Sequence, residues 1–182
     1  KIRGAMNRMM RLSDTEKENG VVAWSSGNHA QGVAAAAKAL NLSAKIVMPS
    51  DAPNTKVENT RSLGAEIIFY NRTTEDRHAI AMNIADEEGR IAVPPYNHHD
   101  TICGQGTVGL ELLHQADELG VSIDDVLVPT SGGGLIAGVG LAVKDHFPGA
   151  HLYTVEPLGF DDHRLSLESG TRKTNTSTAG SL

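Results

Sequence analysis

Apolar and polar positions follow two rhythms along the chain, short runs of β character and longer stretches of helical period. Ile2 to Glu16 predicts a first helix. Val21-Val22-Ala23-Trp24 is a short apolar run ending at a Ser/Gly/Asn cluster, and alanine-rich Ala30 to Leu40 is helical. Lys45 to Met48 predicts a second strand, closed by Pro49. Ser50 to Asn54 supplies helix-start chemistry for Thr55 to Leu63. Glu66 to Tyr70 is a third strand, and Thr74 to Glu87 a helix with Ile80, Ile84 and Ala85 on one face. Ile91 to Val93 is a fourth strand, stopped by Pro94-Pro95.

Pro94 to Gly106 then interrupts the rhythm and reads as an irregular connection, with His98-His99-Asp100 on a surface loop. A helix over Thr107–Leu119 follows, then a strand over Asp125–Pro129, a glycine loop, a helix over Leu135–Phe147 and a strand over His151–Glu156. The polar, Ser/Thr-rich stretch from Ser166 to Leu182 reads as a disordered tail or a loop. Strands alternating with helices imply an α/β fold with a mainly parallel sheet. The proline pair and polar loop place a domain boundary near Pro95–Gly104. A small α/β domain over 1–95 then precedes a partial large domain over 96–182, which has too few strands to be complete. The opening Lys1-Ile2-Arg3-Gly4 and the closing Ser181-Leu182 read as the cut ends of a fragment.

Composition narrows the function. Among 182 residues, 16 Lys+Arg against 22 Asp+Glu give a net charge of −6, with no basic run to neutralise nucleic-acid phosphates. No apolar stretch approaches the ~18 residues of a membrane span. Aromatics are scarce, so Ala, Val, Leu and Ile must build the core; the stripe Ala34–Ala37 with Ala39 reads as close helix packing on the sheet. The lone Cys103 cannot form an intrachain disulfide, which points to a reducing, cytoplasmic compartment, and it reads as a small buried hydrophobe.

Glycine is abundant, and many of the 19 fall in two clusters. Ser25-Ser26-Gly27-Asn28-His29-Ala30-Gln31-Gly32 lies between a strand and a helix. Small residues there let the backbone approach a ligand, and helix N–H groups attract an anion. A tight, well-capped βα turn is the alternative reading. Thr130-Ser131-Gly132-Gly133-Gly134-Leu135 repeats the logic at a later junction, where backbone N–H groups wrapping a phosphate are the simplest explanation and a flexible hinge the alternative. It is neither a dinucleotide fingerprint nor a Walker loop. Two anion pockets at strand carboxyl ends fit a phosphorylated cofactor facing a small acid.

Lys1-Ile2-Arg3-Gly4-Ala5, the Ser25–Gly32 octet, Pro94-Pro95-Tyr96 leading to Gly104-Gln105-Gly106-Thr107, and Ser131–Leu135 occur in this order. This ordered set resembles the serine/threonine dehydratases and serine racemases, pyridoxal-phosphate (PLP) enzymes of fold type II, along essentially the whole chain. The resemblance implies the parallel-sheet, three-layer fold of that class. It implies that Lys1 forms the Schiff base with PLP and moves the α-proton; without the family, Lys1 is an ordinary solvated charge. Asn28 matches the residue bonded to the cofactor's 3′ oxygen. Ser25, Gly27 and His29, with Ser26 and Asn28, match the substrate-carboxylate loop. Ser131, Gly132, Gly133, Gly134 and Leu135 match the phosphate loop.

Ser26 stands where a racemase-like branch has an acid/base serine, with a helix-cap serine as the alternative. Glu156, the Phe160 carbonyl and Asp162 match a divalent-cation site of that branch, suited to Mg²⁺ or another hard cation; a solvated acidic turn is the alternative. The resemblance implies an ammonia-lyase converting a β-hydroxy amino acid such as L-threonine or L-serine to a 2-oxo acid and ammonia. Hydroxyaspartate dehydration and serine or aspartate racemisation are the alternatives, with a non-catalytic relative or inert fragment behind them. The implied partner is an amino-acid substrate, and a homo-oligomer, dimer or larger, is expected of the full-length protein.

Overall fold

Successive side chains of a strand point to opposite faces, so β1 (Val21–Trp24) feeds two cores at once. A computed structural model, describing residues 1–175, shows Val21 and Ala23 packing on one face with Ile46 and Met48, and Val22 and Trp24 on the other with Val47. β2 (Ala44–Pro49), β3 (Glu66–Tyr70) and β4 (Ile91–Ala92) complete a fully parallel sheet of order β3-β2-β1-β4. On its first face, α3 (Asn28–Leu40), α4 (Asn54–Ser62) and α1 (Ile2–Met10) bury Ala30, Val33, Ala37, Val57 and Met9. On the second, α5 (Arg77–Glu88) packs Ala81 and Ala85 against Val22, Trp24 and Tyr70. Helices on both faces of a parallel sheet give the three-layer arrangement expected.

The second sheet pairs β5 (Asp125–Pro129) and β6 (His151–Val155) in parallel. α6 (His99–Leu119) and α7 (Gly134–His146) close a separate apolar cluster on it, with Leu113, Val128, Val139, Val143 and Ala150 buried. α1 lies between α3 and α6 and links the two clusters. The helix backbones nearly touch. A Cβ on Gly104 would lie 2.5 Å from the Arg3 carbonyl, and one on Gly138 would lie 2.5 Å from the Gly106 nitrogen.

The structure departs from the sequence reading in several places. The first helical stretch breaks after Met10, and α2 (Asp14–Asn19) starts afresh. The cause is a capping box: Ser13 Oγ accepts from the Glu16 N–H at 3.3 Å, and Glu16 Oε2 accepts from the Ser13 N–H at 2.7 Å. α5 begins at Arg77 because the Asp76 carboxylate caps the His78 and Ala79 N–H groups. α8 (Asp162–Ser169) enters the stretch read as a polar tail, of which 176–182 lie outside the described residues.

The largest correction concerns 94–106, where α6 already begins at His99. His98 Nδ1 accepts from the Asp100 N–H at 3.2 Å and caps the helix. Each helix-interior glycine costs roughly 1 kcal/mol of helix propensity, but Gly104 and Gly106 permit the close approach to α1 and α7. Asp100 is no loop residue. Its carboxylate, only 15% exposed, pairs with Arg11 at 3.0 Å and Arg8 at 3.6 Å, and its carbonyl accepts from Asn7 Nδ2 at 2.7 Å. α1, and Lys1 before it, are thereby fixed on α6. Cys103 is exposed, not buried, with its Sγ 3.7 Å from His99 Nε2 one helical turn back. Within the alanine stripe, Ala34, Ala36 and Ala37 are buried, whereas Ala35 is half-buried and Ala39 exposed.

Candidate active site

Two turns open long helices without capping them. β1 runs into Ser25-Ser26-Gly27, and α3 starts at Asn28 with Gly27 as its uncapped N-terminal residue. Ser25 Oγ accepts from the Gly27 N–H at 3.2 Å, while the N–H groups of Asn28, His29 and Ala30 find no acceptor among the described residues. Such free donors, at the positive end of the helix dipole, suit a carboxylate. A Cβ on Gly27 would meet nothing within 4 Å, so this turn faces open space. The Asn28 side chain is exposed, and it and the half-buried Ser26 hydroxyl have no partner among the described residues.

The second turn follows β5. Thr130 is anchored by its N–H on the Val155 carbonyl at 2.9 Å, and the chain then bends through Ser131, Gly132 and Gly133. Gly133 holds φ +83, which glycine adopts without strain, and caps α7 with no side-chain oxygen. The N–H groups of Ser131, Gly132 and Gly133 have no partner among the described residues, and Gly134 and Leu135 form the first turn of α7. This is the donor set a phosphate needs.

A short strap, Val93 to Tyr96, joins these turns to Lys1. His29, 2% exposed, donates from Nε2 to the Val93 carbonyl at 2.8 Å, and its Nδ1 is buried without a partner. Burial pushes the His29 pKa down to about 4, against the opposing pull of the Val93 carbonyl, with Lys1 lowering it further. Its ring is neutral near pH 7. Lys1 Nζ donates to the Pro95 carbonyl at 2.9 Å. Desolvation lowers the Lys1 pKa, which favours the uncharged amine a nucleophile or base requires. Gly32 lets α3 approach: a Cβ there would lie 3.2 Å from the Lys1 carbonyl carbon. The strap ends with the Tyr96 ring directly against Gly132 and the Tyr96 backbone against Gly134, where a Cβ would lie 2.9 Å from the Tyr96 Cα.

The Val93–Tyr96 strap contacts Lys1 through the Pro95 carbonyl, His29 through the Val93 carbonyl, and Gly132 and Gly134 through Tyr96. At the far end of β6, both Glu156 carboxylate oxygens accept from α8, from the His163 N–H at 3.1 Å and the Arg164 N–H at 3.0 Å. The Phe160 N–H donates to the Pro157 carbonyl at 2.9 Å, and the Asp162 carbonyl accepts from Ser166 Oγ at 2.5 Å. Among the described residues no three His, Cys, Asp or Glu side chains gather as a metal site. Sequence reasoning gave no role to Tyr96, to the Val93 and Pro95 carbonyls, to Asp100 or to His163. The only signal was the proline pair, which stops β4 and frees its carbonyls from the ladder.

Fold and site together define a parallel, three-layer α/β protein with a partly desolvated lysine beside two uncapped, glycine-opened helices. The pyridoxal-phosphate dependent enzyme family matches residues 1–181, and the chain belongs to it. It is 48% identical over 171 residues to the L-threo-3-hydroxyaspartate ammonia-lyase of Saccharomyces cerevisiae, covering 94% of this chain and 51% of that one. It is 40% identical over 178 residues to the catabolic L-threonine dehydratase of Escherichia coli K12, covering 98% and 53%. The solved structure of maize serine racemase superposes with a TM-score of 0.91 at 45% identity, over 98% of this chain and 53% of that one. The chain spans about half the length of the curated relatives it matches. No helix among the described residues is long and apolar enough to cross a membrane.

Proposed function

We propose that the whole protein is a PLP-dependent ammonia-lyase that converts a β-hydroxy amino acid, such as L-threonine or L-serine, to a 2-oxo acid and ammonia. The observation that carries this reading is the Lys1 amine, held on the Pro95 carbonyl between the two turns. The residues fit PLP: the unpartnered N–H groups of 131–133 suit its phosphate, the exposed Asn28 amide its phenolic oxygen, and Lys1 its carbonyl carbon. When bound, the cofactor supplies an electrophilic carbonyl for amines and a conjugated ring that accepts the electron pair left by the departing α-proton.

The protein's own residues do the rest. The free N–H groups of Asn28, His29 and Ala30 receive the substrate carboxylate, with Ser25 and Gly27 shaping the turn. His29, neutral and pinned to the strap, adds no charge and holds the start of α3 in place. Lys1 Nζ, whose pKa desolvation lowers, takes the α-proton. The β-hydroxyl leaves as water, and water returns as ammonia is released.

The Ser26 hydroxyl favours a second reading, since it is free to act as an acid/base group opposite Lys1. Racemisation of serine or aspartate is that reading, and 3-hydroxyaspartate is the alternative substrate for elimination. The names of the relatives support both. Glu156, Phe160 and Asp162 are proposed to hold Mg²⁺ or another divalent cation in a structural or activating role. The full-length protein is proposed to be cytoplasmic and oligomeric. A 2-oxo acid assay over β-hydroxy amino acids of both configurations, with full-length wild type and Ser26→Ala, tests the reading. Elimination should survive the substitution while racemisation collapses; absence of any 2-oxo acid would reject the lyase.

A further inference from the structure

The phosphate turn is gripped from outside by a histidine of α8. His163 Nε2 lies 2.7 Å from the Ser131 carbonyl oxygen. A carbonyl only accepts, so Nε2 carries the hydrogen. The imidazole edge also abuts Gly133, where a Cβ would lie 3.0 Å from Cε1. The histidine is itself held, through its backbone N–H on Glu156 Oε1 at 3.1 Å. Glu156 follows Val155, whose carbonyl accepts from the Thr130 N–H at 2.9 Å. A closed circuit therefore runs from Thr130 and Ser131 through His163 and Glu156 back to Thr130.

The Ser131 carbonyl and the Gly132 N–H belong to one planar trans peptide, so they point in opposite directions. A hydrogen bond that draws the carbonyl toward α8 turns the Gly132 N–H away from α8. In a turn of glycines, whose backbone is otherwise free to rotate, that bond selects one orientation of the donor.

We propose that His163 is a positioning residue for the cofactor phosphate: by holding the Ser131 carbonyl, it presents the Gly132 N–H to the anion. This inference rests on the PLP reading. Its test uses the full-length protein, stripped of cofactor and titrated with PLP and with pyridoxal, which lacks the phosphate. Wild type is compared with His163→Ala and with His163→Gln, whose amide keeps a donor of similar reach.

One hydrogen bond corresponds to about a tenfold change in affinity. His163→Ala should therefore weaken PLP about tenfold and leave pyridoxal unchanged, and His163→Gln should recover most of the loss. Hydrogen exchange at the Thr130 amide, which is bonded to the Val155 carbonyl within the circuit, should speed up in the cofactor-free protein in His163→Ala alone. Unchanged PLP affinity and exchange in His163→Ala, or equal weakening of PLP and pyridoxal, would overturn the proposal. Wild type that takes up no PLP would instead overturn the reading beneath it, and the exchange measurement would still decide whether His163 orders the turn.

Discussion

Lys1 Nζ and the Pro95 carbonyl meet at 2.9 Å across a separation of 94 residues. The contact matters because Pro95 belongs to the strap that holds His29 at one end and Tyr96, against Gly132, at the other. A single extended segment therefore sets the lysine relative to both turns. α1 is independently fixed by the ion pairs of Asp100 with Arg8 and Arg11, so the lysine cannot drift along α6.

The two turn glycines should separate fold from function. A methyl at Gly27 meets nothing within 4 Å, whereas one at Gly132 falls inside the Tyr96 ring. Gly27→Ala should leave the melting temperature unchanged and raise KM at least severalfold, because the methyl enters the space proposed for the substrate carboxylate. Gly132→Ala should lower the melting temperature and cofactor affinity together. Calorimetry and steady-state kinetics on the full-length protein check both, and a normal KM for Gly27→Ala would remove the carboxylate assignment.

Helix contact makes another glycine intolerant. A Cβ on Gly138 would fall on the Ile102 carbonyl and lie 2.5 Å from the Gly106 nitrogen, both backbone atoms that cannot swing aside. Gly138→Ala should cost about 1–3 kcal/mol or more in urea unfolding. Gly149→Ala, where a Cβ meets nothing within 4 Å, should cost far less.

That glycine network also explains what was legible in the sequence. β3 was readable end to end, Glu66 to Tyr70, because a continuous apolar run bounded by local turn residues specifies it. The start of α6 was not, since Gly104-Gln105-Gly106 reads locally as loop. What stabilises it there are Arg3, Gly4 and Gly138, remote in sequence and close only after folding. Cys103 looked buried for the same reason: without the helix, its exposed face beside His99 could not be assigned. The two glycine turns could be proposed as anion sites from their composition. Lys1 carried no signal of its own and was proposed through family resemblance alone. His163 was invisible, because its partner Ser131 lies on another element.

Acid should destabilise the fold through His29. Its pKa is about 4 when folded, against 6.5 for the free ring, so the unfolded chain binds the extra proton between these values. The stability His29 contributes is complete above about pH 6.5 and is lost as pH falls through 6.5 toward 4. The loss is on the order of 3 kcal/mol. Urea unfolding across this window, comparing wild type with His29→Gln, should show a steeper slope in wild type. Identical slopes would mean that the ring titrates as if exposed.

The central claim is that Lys1 is the amine joined to the cofactor. Borohydride treatment of the full-length protein with PLP, followed by digestion and mass spectrometry, tests it directly. The expected result is a reduced pyridoxyl-phosphate adduct on Lys1, absent in Lys1→Ala together with the visible absorbance. An adduct on any other lysine, or persistence of both signals in Lys1→Ala, would contradict the account.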